Sequence, residues 1–252
     1  MSEGLVRIAD DFYNVRGSFT IAHVLDIGTQ ASLVRRKGGG FIMLDSYTLK
    51  GELLDEVMAL TDDGRAVETI LHLHPFHTVH VKRSAEQFPH ARQYGTDRHV
   101  RKAPDLPWQP ERTDHPDCHA LFADDLGFSV PRGVDFVPAN ENLHFASVLA
   151  FHGPSRTLHV DDTLMYSTLP LVGGLSFHPT LMRVLCRRPR AVAEFRAWAE
   201  DLVARCAEVD QICPAHTHLP PRATAPGQVA AQVRKALDSV RKTLDAHERA
   251  HG

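Results

Sequence analysis

The spacing of hydrophobic and polar positions changes several times along the chain, and each change marks an element. Phe19 to Leu25 and Gln30 to Val34 are rich in apolar and β-branched residues and predict strands. Gly38-Gly39-Gly40 then predicts a tight connection to Phe41-Ile42-Met43-Leu44-Asp45, a short apolar run that ends in an acid. Leu53, Leu54, Val57 and Met58 recur at helical spacing and predict a helix over Leu49 to Leu60. Val67 to Leu73 reads as a buried strand, Ser84 to Phe88 as a helix and Arg92 to Tyr94 as a short strand. Residues 101–120, with Pro104, Pro107, Pro110 and Pro116, read as a long surface loop whose Asp114–His119 part could act as a lid. Strand patterning returns over Gly127 to Val137 and over Phe145 to Val160, the second folding back at Gly153-Pro154-Ser155. Val192, Phe195, Trp198, Leu202 and Val203 share one face of a helix over Pro189 to Ala207, and Val209 to Cys213 is a last short strand. Val229, Val233, Leu237, Val240 and Leu244 form the stripe of a closing helix over Pro226 to His247. That stripe could pack on its own domain or on a partner. Strands in both halves with helices after each predict an α/β chain, sheets inside and helices outside, as one domain over 1–252.

Composition narrows the function classes. Hydrophobic residues are 43% and charged residues 23% of 252, which excludes disorder, collagen or coiled coil as a whole-chain answer. The formal net charge of −3 offers no strong field to nucleic acid or an anionic membrane. No apolar stretch reaches the roughly 18 residues of a membrane helix, and the charged start at Glu3, Arg7, Asp10 and Asp11 does not read as a signal peptide. Cys118, Cys186, Cys206 and Cys213 form no CxxC pair, so reduced thiols in a cytoplasmic protein are expected. Histidine stands out, at 17 against 12 Phe and 4 Tyr.

The histidines cluster where chemistry is easiest to build. Leu71-His72-Leu73-His74-Pro75-Phe76-His77-Thr78-Val79-His80 follows a predicted strand. Imidazole is the commonest metal ligand and suits Zn, Fe, Ni or Cu. In an extended chain His72 and His74 point to one side, and His77 approaches from beyond the Pro75 turn. His144 precedes a predicted strand, Asp162 ends one, and His216 follows one. Each alone has a structural reading, as an edge residue, a turn residue or a solvent-facing ring. Together they are the ends of strands facing loops, where ligands can converge outside an apolar core.

This pattern resembles the metallo-β-lactamase superfamily, which carries HxHxDH after a strand, then a lone His, an Asp that bridges two metals, and a final His. His72, His74 and His77 match the histidines of the first motif, and His144, Asp162 and His216 follow in order. Asp161 stands where the family has Gly, and Pro214-Ala215-His216 is similar to its Pro-Gly-His. The strand ending in Asp45 resembles the one that supports the family's site. The resemblance implies a four-layer αββα sandwich of two mixed β-sheets flanked by helices. It implies a first metal site at His72, His74 and His144 and a second at His77, Asp162 and His216, with Zn expected and Fe or Mn as alternatives. It departs at Phe76, which replaces the motif's acid and cannot ligate. One ion, two ions with His80 or Asp161 compensating, or a fold retained without catalysis are all compatible with that change. His218 and Asp45 are further auxiliary candidates.

The reading is a metal-dependent hydrolase. Metal-bound water, its pKa brought down to about 7, would attack a small-molecule ester, thioester, amide or phosphoester, with His77, Asp161 or Asp162 handling the proton. The rival is a catalytically silent metal- or ligand-binding protein on the same fold, which Phe76 favours. A di-iron redox centre would want carboxylates where Leu73, Pro75 and Phe76 stand. Serine-hydrolase and P-loop readings lack their GxSxG and GK[ST] signatures. Asp114-His115-Pro116-Asp117-Cys118-His119 reads as a solvated loop, Arg187, Arg188 and Arg190 as a solvated helix terminus, and Cys213 near His216 as an inert thiol. A homo-oligomer is allowed, with no nucleic-acid or membrane partner expected.

Overall fold

The computed structural model describes residues 3–21, 25–168, 173–216 and 218–252. They fall into two compact units, Met1–Gly127 with Phe151–Ser155, and Phe128–Ala150 with Arg156–Gly252.

The first unit is built on a seven-stranded mixed sheet. Its strands are β1 (Gly4–Ala9), β2 (Phe12–Gly17), β5 (Thr29–Arg35), β6 (Phe41–Leu44), β7 (Val67–Leu71), β8 (Arg92–Gly95) and β9 (Trp108–Arg112), in that spatial order. The two-residue strands β3 (Thr20–Ile21) and β4 (Leu25–Asp26) pair separately, so the expected strand from Phe19 to Leu25 is two pieces around residues outside the described set. β5 and β6 form the expected hairpin, with Leu33 opposite Met43. Gly39 and Gly40 make its turn at φ +89° and +73°, where a side chain would be strained. From β6 onward the ladder is parallel, Met43 pairing with Ile70 and Ile70 with Gln93. Parallel neighbours need crossovers, which α1 (Gly51–Leu60), α2 (Val81–Gln87) and α3 (Asp97–Lys102) supply. α1 buries Leu53 and Val57 against Phe41, Met43, Val67 and Ile70 in one core. Each such side chain contributes about 1.5–3 kcal/mol by burial.

Residues 101–120 are not a loop throughout. They contain β9 and α4 (Pro116–Leu121). The prolines that suggested a loop sit where they do least harm. Pro110 lies on the edge strand, and Pro116 opens α4, where its missing N–H is not needed.

A four-stranded sheet has the order β10 (Gly127–Ser129), β11 (Leu149–His152), β12 (Thr157–His159) and β15 (Gln211–Cys213). The strand expected over Gly127 to Val137 stops at Ser129. β13 (Leu164–Ser167) and β14 (Gly174–Phe177) pair as a hairpin. The helices are α5 (Leu181–Val184), α6 (Ala191–Arg205) and α7 (Gln228–His251), the last two close to expectation. α6 turns Val192, Phe195, Trp198 and Leu202 inward. Phe195 lies 5.3 Å from Trp198 and 5.5 Å from Phe177 between ring centres. Gly133 lets the chain press on α6, since a Cβ there would stand 2.0 Å from the Ala191 carbonyl oxygen. No helix among the described residues is long and apolar enough to cross a membrane.

Candidate metal centre

Four parallel strands of the first unit deliver polar residues to their carboxyl ends, the edge where open α/β sheets place ligands. Asp45 follows β6, the histidine run follows β7, Thr96 and His99 follow β8, and Thr113 follows β9.

Asp45 organises this edge. Its backbone is left-handed, with φ +57°, a conformation that Asp tolerates better than most residues. That kink turns the carboxylate back on the sheet, where Oδ1 accepts the backbone N–H of Leu73 at 2.8 Å and of His74 at 3.3 Å. The Asp45 N–H donates to the Leu71 carbonyl at 2.8 Å. The supporting role expected for Asp45 is thus to fix the backbone between the first two histidines.

β7 ends at Leu71, two residues earlier than expected, so strand alternation does not govern His72 and His74. His72 is fully buried against His99 and Trp108, at 5.2 Å and 5.4 Å between ring centres. Its Nε2 meets Gln93 Oε1 at 3.0 Å. The Gln93 amide nitrogen donates to the Ala91 carbonyl, so the oxygen faces His72 and Nε2 must be the donor. The His72 Nδ1 lone pair is left buried and without a hydrogen-bond partner. Thr113 Oγ1 donates to the His72 carbonyl at 2.8 Å and fixes the backbone as well. Burial lowers the His72 pKa below its ordinary value, which favours the neutral ring.

His74 stacks on His77 at 4.1 Å, with ring planes 17° apart. The Phe76 N–H donates to His74 Nδ1 at 3.0 Å. Phe76 itself is buried, and the Arg98 guanidinium lies 4.3 Å from its ring centre while donating to the Pro75 carbonyl. An aromatic ring under a cation therefore fills the place where the resemblance puts a carboxylate. His80 immediately precedes α2, and its Nδ1 bonds Thr48 Oγ1 at 2.9 Å.

The second unit makes its own cluster. β12 and β15 run parallel, with Leu158 beside Ile212, and deliver Asp161, Asp162 and His216 past their carboxyl ends. Asp162 is buried, with Oδ1 3.1 Å from His216 Nε2 and Oδ2 3.7 Å from His144 Nδ1. His144 Nε2 lies 2.8 Å from the Glu141 carbonyl, which can only accept, so Nε2 carries the proton. The other ring nitrogen, Nδ1, is the one that faces Asp162 Oδ2. Asp161 is buried 3.9 Å from His159, and His218 is exposed.

Three histidines escaped the sequence reading. His99 is fully buried, and burial, reinforced by His72, holds its pKa well below normal. His159 ends β12 two residues before Asp161, a spacing that was present in the sequence. His178 has its pKa lowered by burial, while Asp162 raises it and His216 and His144 lower it, so it belongs to their neighbourhood. Nothing in local spacing marked His99 or His178.

No family model matches the chain, and no curated protein does. Solved structures do. A metallo-β-lactamase from Pontibacter korlensis is 13% identical, with 94% of this chain and 99% of that one covered, at a TM-score of 0.57. FIM-1 from Pseudomonas aeruginosa, in its mono-zinc form, is 12% identical over 95% and 96% of the two chains, at 0.59. A metallo-β-lactamase from Erythrobacter litoralis with β-mercaptoethanol in its active site is 12% identical over 94% and 96%, at 0.61. The chain has the metallo-β-lactamase fold, the αββα architecture that the sequence resemblance implied.

Proposed function

We propose that this chain is a metal-dependent hydrolase of a small-molecule ester, thioester, amide or phosphoester, with zinc as its expected metal. The observation that carries the reading is the state of two histidines. His72 commits Nε2 as donor to Gln93 Oε1 and keeps a buried Nδ1 lone pair, and His144 commits Nε2 to the Glu141 carbonyl with its Nδ1 turned toward Asp162. Metal-ligating imidazoles are oriented in this way by an outer partner. The donor set of imidazoles with one carboxylate also suits zinc. His72, His74, His77, His144, Asp162 and His216 are the residues that would hold the metal.

When bound, such a cation acts as a Lewis acid and lowers the pKa of its water to about 7. The chain's own residues orient and take up protons. Asp162, with an oxygen toward each of His144 and His216, is the carboxylate placed to hold a proton or a cation. His77, half-buried beside His74, is the alternative proton carrier. Gln93 and Asp45 hold His72 and the backbone around His74 in place. The four free cysteines fit a reducing, cytoplasmic compartment.

Phe76 favours a second reading, a protein that binds metal or a small ligand without turnover, because no side-chain acid stands at that point of the motif. A panel of chromogenic esters, thioesters, amides and phosphoesters, assayed with zinc-loaded wild type and His144→Ala, separates the two. Turnover that is lost with His144 supports the hydrolase. Stoichiometric zinc with no turnover on any class supports the silent binder.

A further inference from the structure

The closing helix of the second unit carries a charge pattern that the metal centre does not use. α7 packs on α6 and β14 and buries Val233, Leu237 and Leu244. Beside that apolar stripe, Arg234, Asp238, Arg241 and Asp245 recur at spacings of four, three and four. With 3.6 residues per turn they fall within about 60° of the helix and form one row. Together with Arg196 and Glu200 of α6 they line a groove of about 340 Å³ between the two helices. The ends of the row are engaged within the chain, Arg234 with Glu200 and Asp245 with Arg196. The middle is not. Asp238 and Arg241 are exposed, and neither side chain makes a hydrogen bond or an ion pair among the described residues. Asp238 only adds to the negative field at Arg234.

Along the chain this row runs plus, minus, plus, minus, and reversed it is its own complement. Two copies of α7 laid antiparallel, with a two-fold axis between Ser239 and Val240, bring Arg241 to Asp238 of the second copy and Arg234 to Asp245 of the second copy. The two-fold repeats each pair, and no like charges of the row meet. In the same register Lys235 and Lys242, on the next flank, fall within one residue of Asp245 and Asp238 of the second copy. Parallel helices in register would instead set arginine on arginine and aspartate on aspartate. We infer that this face of α7 docks a second copy of the chain, antiparallel and two-fold, with the Arg241–Asp238 pairs at its centre. Charge here selects the partner and the register more than it adds affinity. Exposed ion pairs are individually weak, so the contact is reversible and sensitive to salt. It needs neither metal nor hydrolysis, so it stands or falls apart from the function proposed above.

The test is sedimentation equilibrium of the full chain, at ionic strengths of about 0.01 M and about 1 M, where the Debye length is about 30 Å and about 3 Å. Wild type should dimerise at low salt and at least about tenfold more weakly at high salt. Asp238→Lys and Arg241→Glu each set like charges against each other across the two-fold, and each alone should be monomeric. Mixed in equal amounts, the two variants complement one another and should form a heterodimer, which also shows that both are folded. The charge-swapped Asp238→Arg/Arg241→Asp keeps every pair opposite in sign and should dimerise as wild type does. Wild type that stays monomeric at about 1 mM protein in low salt would overturn the inference. So would a dimer that survives both single reversals, which would lie on another surface, or a mixture no more associated than its parts.

Discussion

Replacing Asp45 tests how the fold presents its histidines. The carboxylate is 1% exposed and accepts two backbone N–H groups, one at 2.8 Å and one at 3.3 Å. A hydrogen bond to a charged group contributes about 1.5–3 kcal/mol, and the longer contact less. Asp45 also sits at φ +57°, where alanine costs about 1–2 kcal/mol. Asp45→Ala should therefore lose about 3–5 kcal/mol. Asp45→Asn keeps an acceptor and tolerates the left-handed backbone, so it should lose about 1–2 kcal/mol. Asp45→Gly removes the acceptor but not the backbone freedom, and should fall between them. Urea unfolding of metal-free protein gives the three values, and a zinc-chelator competition gives the metal affinity of each. The order wild type, Asn, Gly, Ala should appear in stability, with metal affinity falling alongside. An alanine variant within about 0.5 kcal/mol of wild type would refute the claim that this carboxylate fixes the Leu73–His74 backbone.

Other changes probe separate parts of the site. Gln93→Met removes the oxygen that orients His72 and should weaken zinc binding about 10–100-fold in a chelator competition; unchanged affinity would free His72 from the metal. Phe76→Asp supplies the missing motif acid beside Arg98, and should raise the zinc bound per chain by plasma mass spectrometry; unchanged content would mean that the new carboxylate pairs with Arg98 instead. Burial lowers the pKa of His72 and His99, so the unfolded chain takes up protons near pH 6.5 that the folded chain refuses. Metal-free protein should then be fully stable above about pH 6.5 and lose up to about 1.4 kcal/mol per pH unit for each ring below it. Urea midpoints at about pH 7.5 and about pH 5.5 that coincide would contradict the neutral, buried state of both rings.

Elements with one apolar face were legible in the sequence. The β5–β6 hairpin, α1, α6 and α7 bury their periodic residues and fall near their expected bounds. β1 was not legible, because this edge strand is only partly buried on both faces and shows no alternation. β9 was hidden by Pro110, which an edge strand accepts. In the candidate site, motif order led to His72, His74, His77, His144, Asp162 and His216. His99 escaped because its closeness to His72 comes from the pairing of β7 with β8, which no local spacing reports. The shortening of β7 to Leu71 also lay outside the pattern, since Leu73 is as apolar as any strand residue but its N–H is taken by Asp45.

Metal content per chain tests the central claim most directly. Protein purified without a histidine tag is incubated with zinc and with iron, desalted and measured by plasma mass spectrometry, as wild type and as His74→Ala/His144→Ala. One or two equivalents in wild type, lost in the double variant, is the predicted result. Wild type that retains neither metal would contradict the metal centre and leave this fold with a role that does not depend on one.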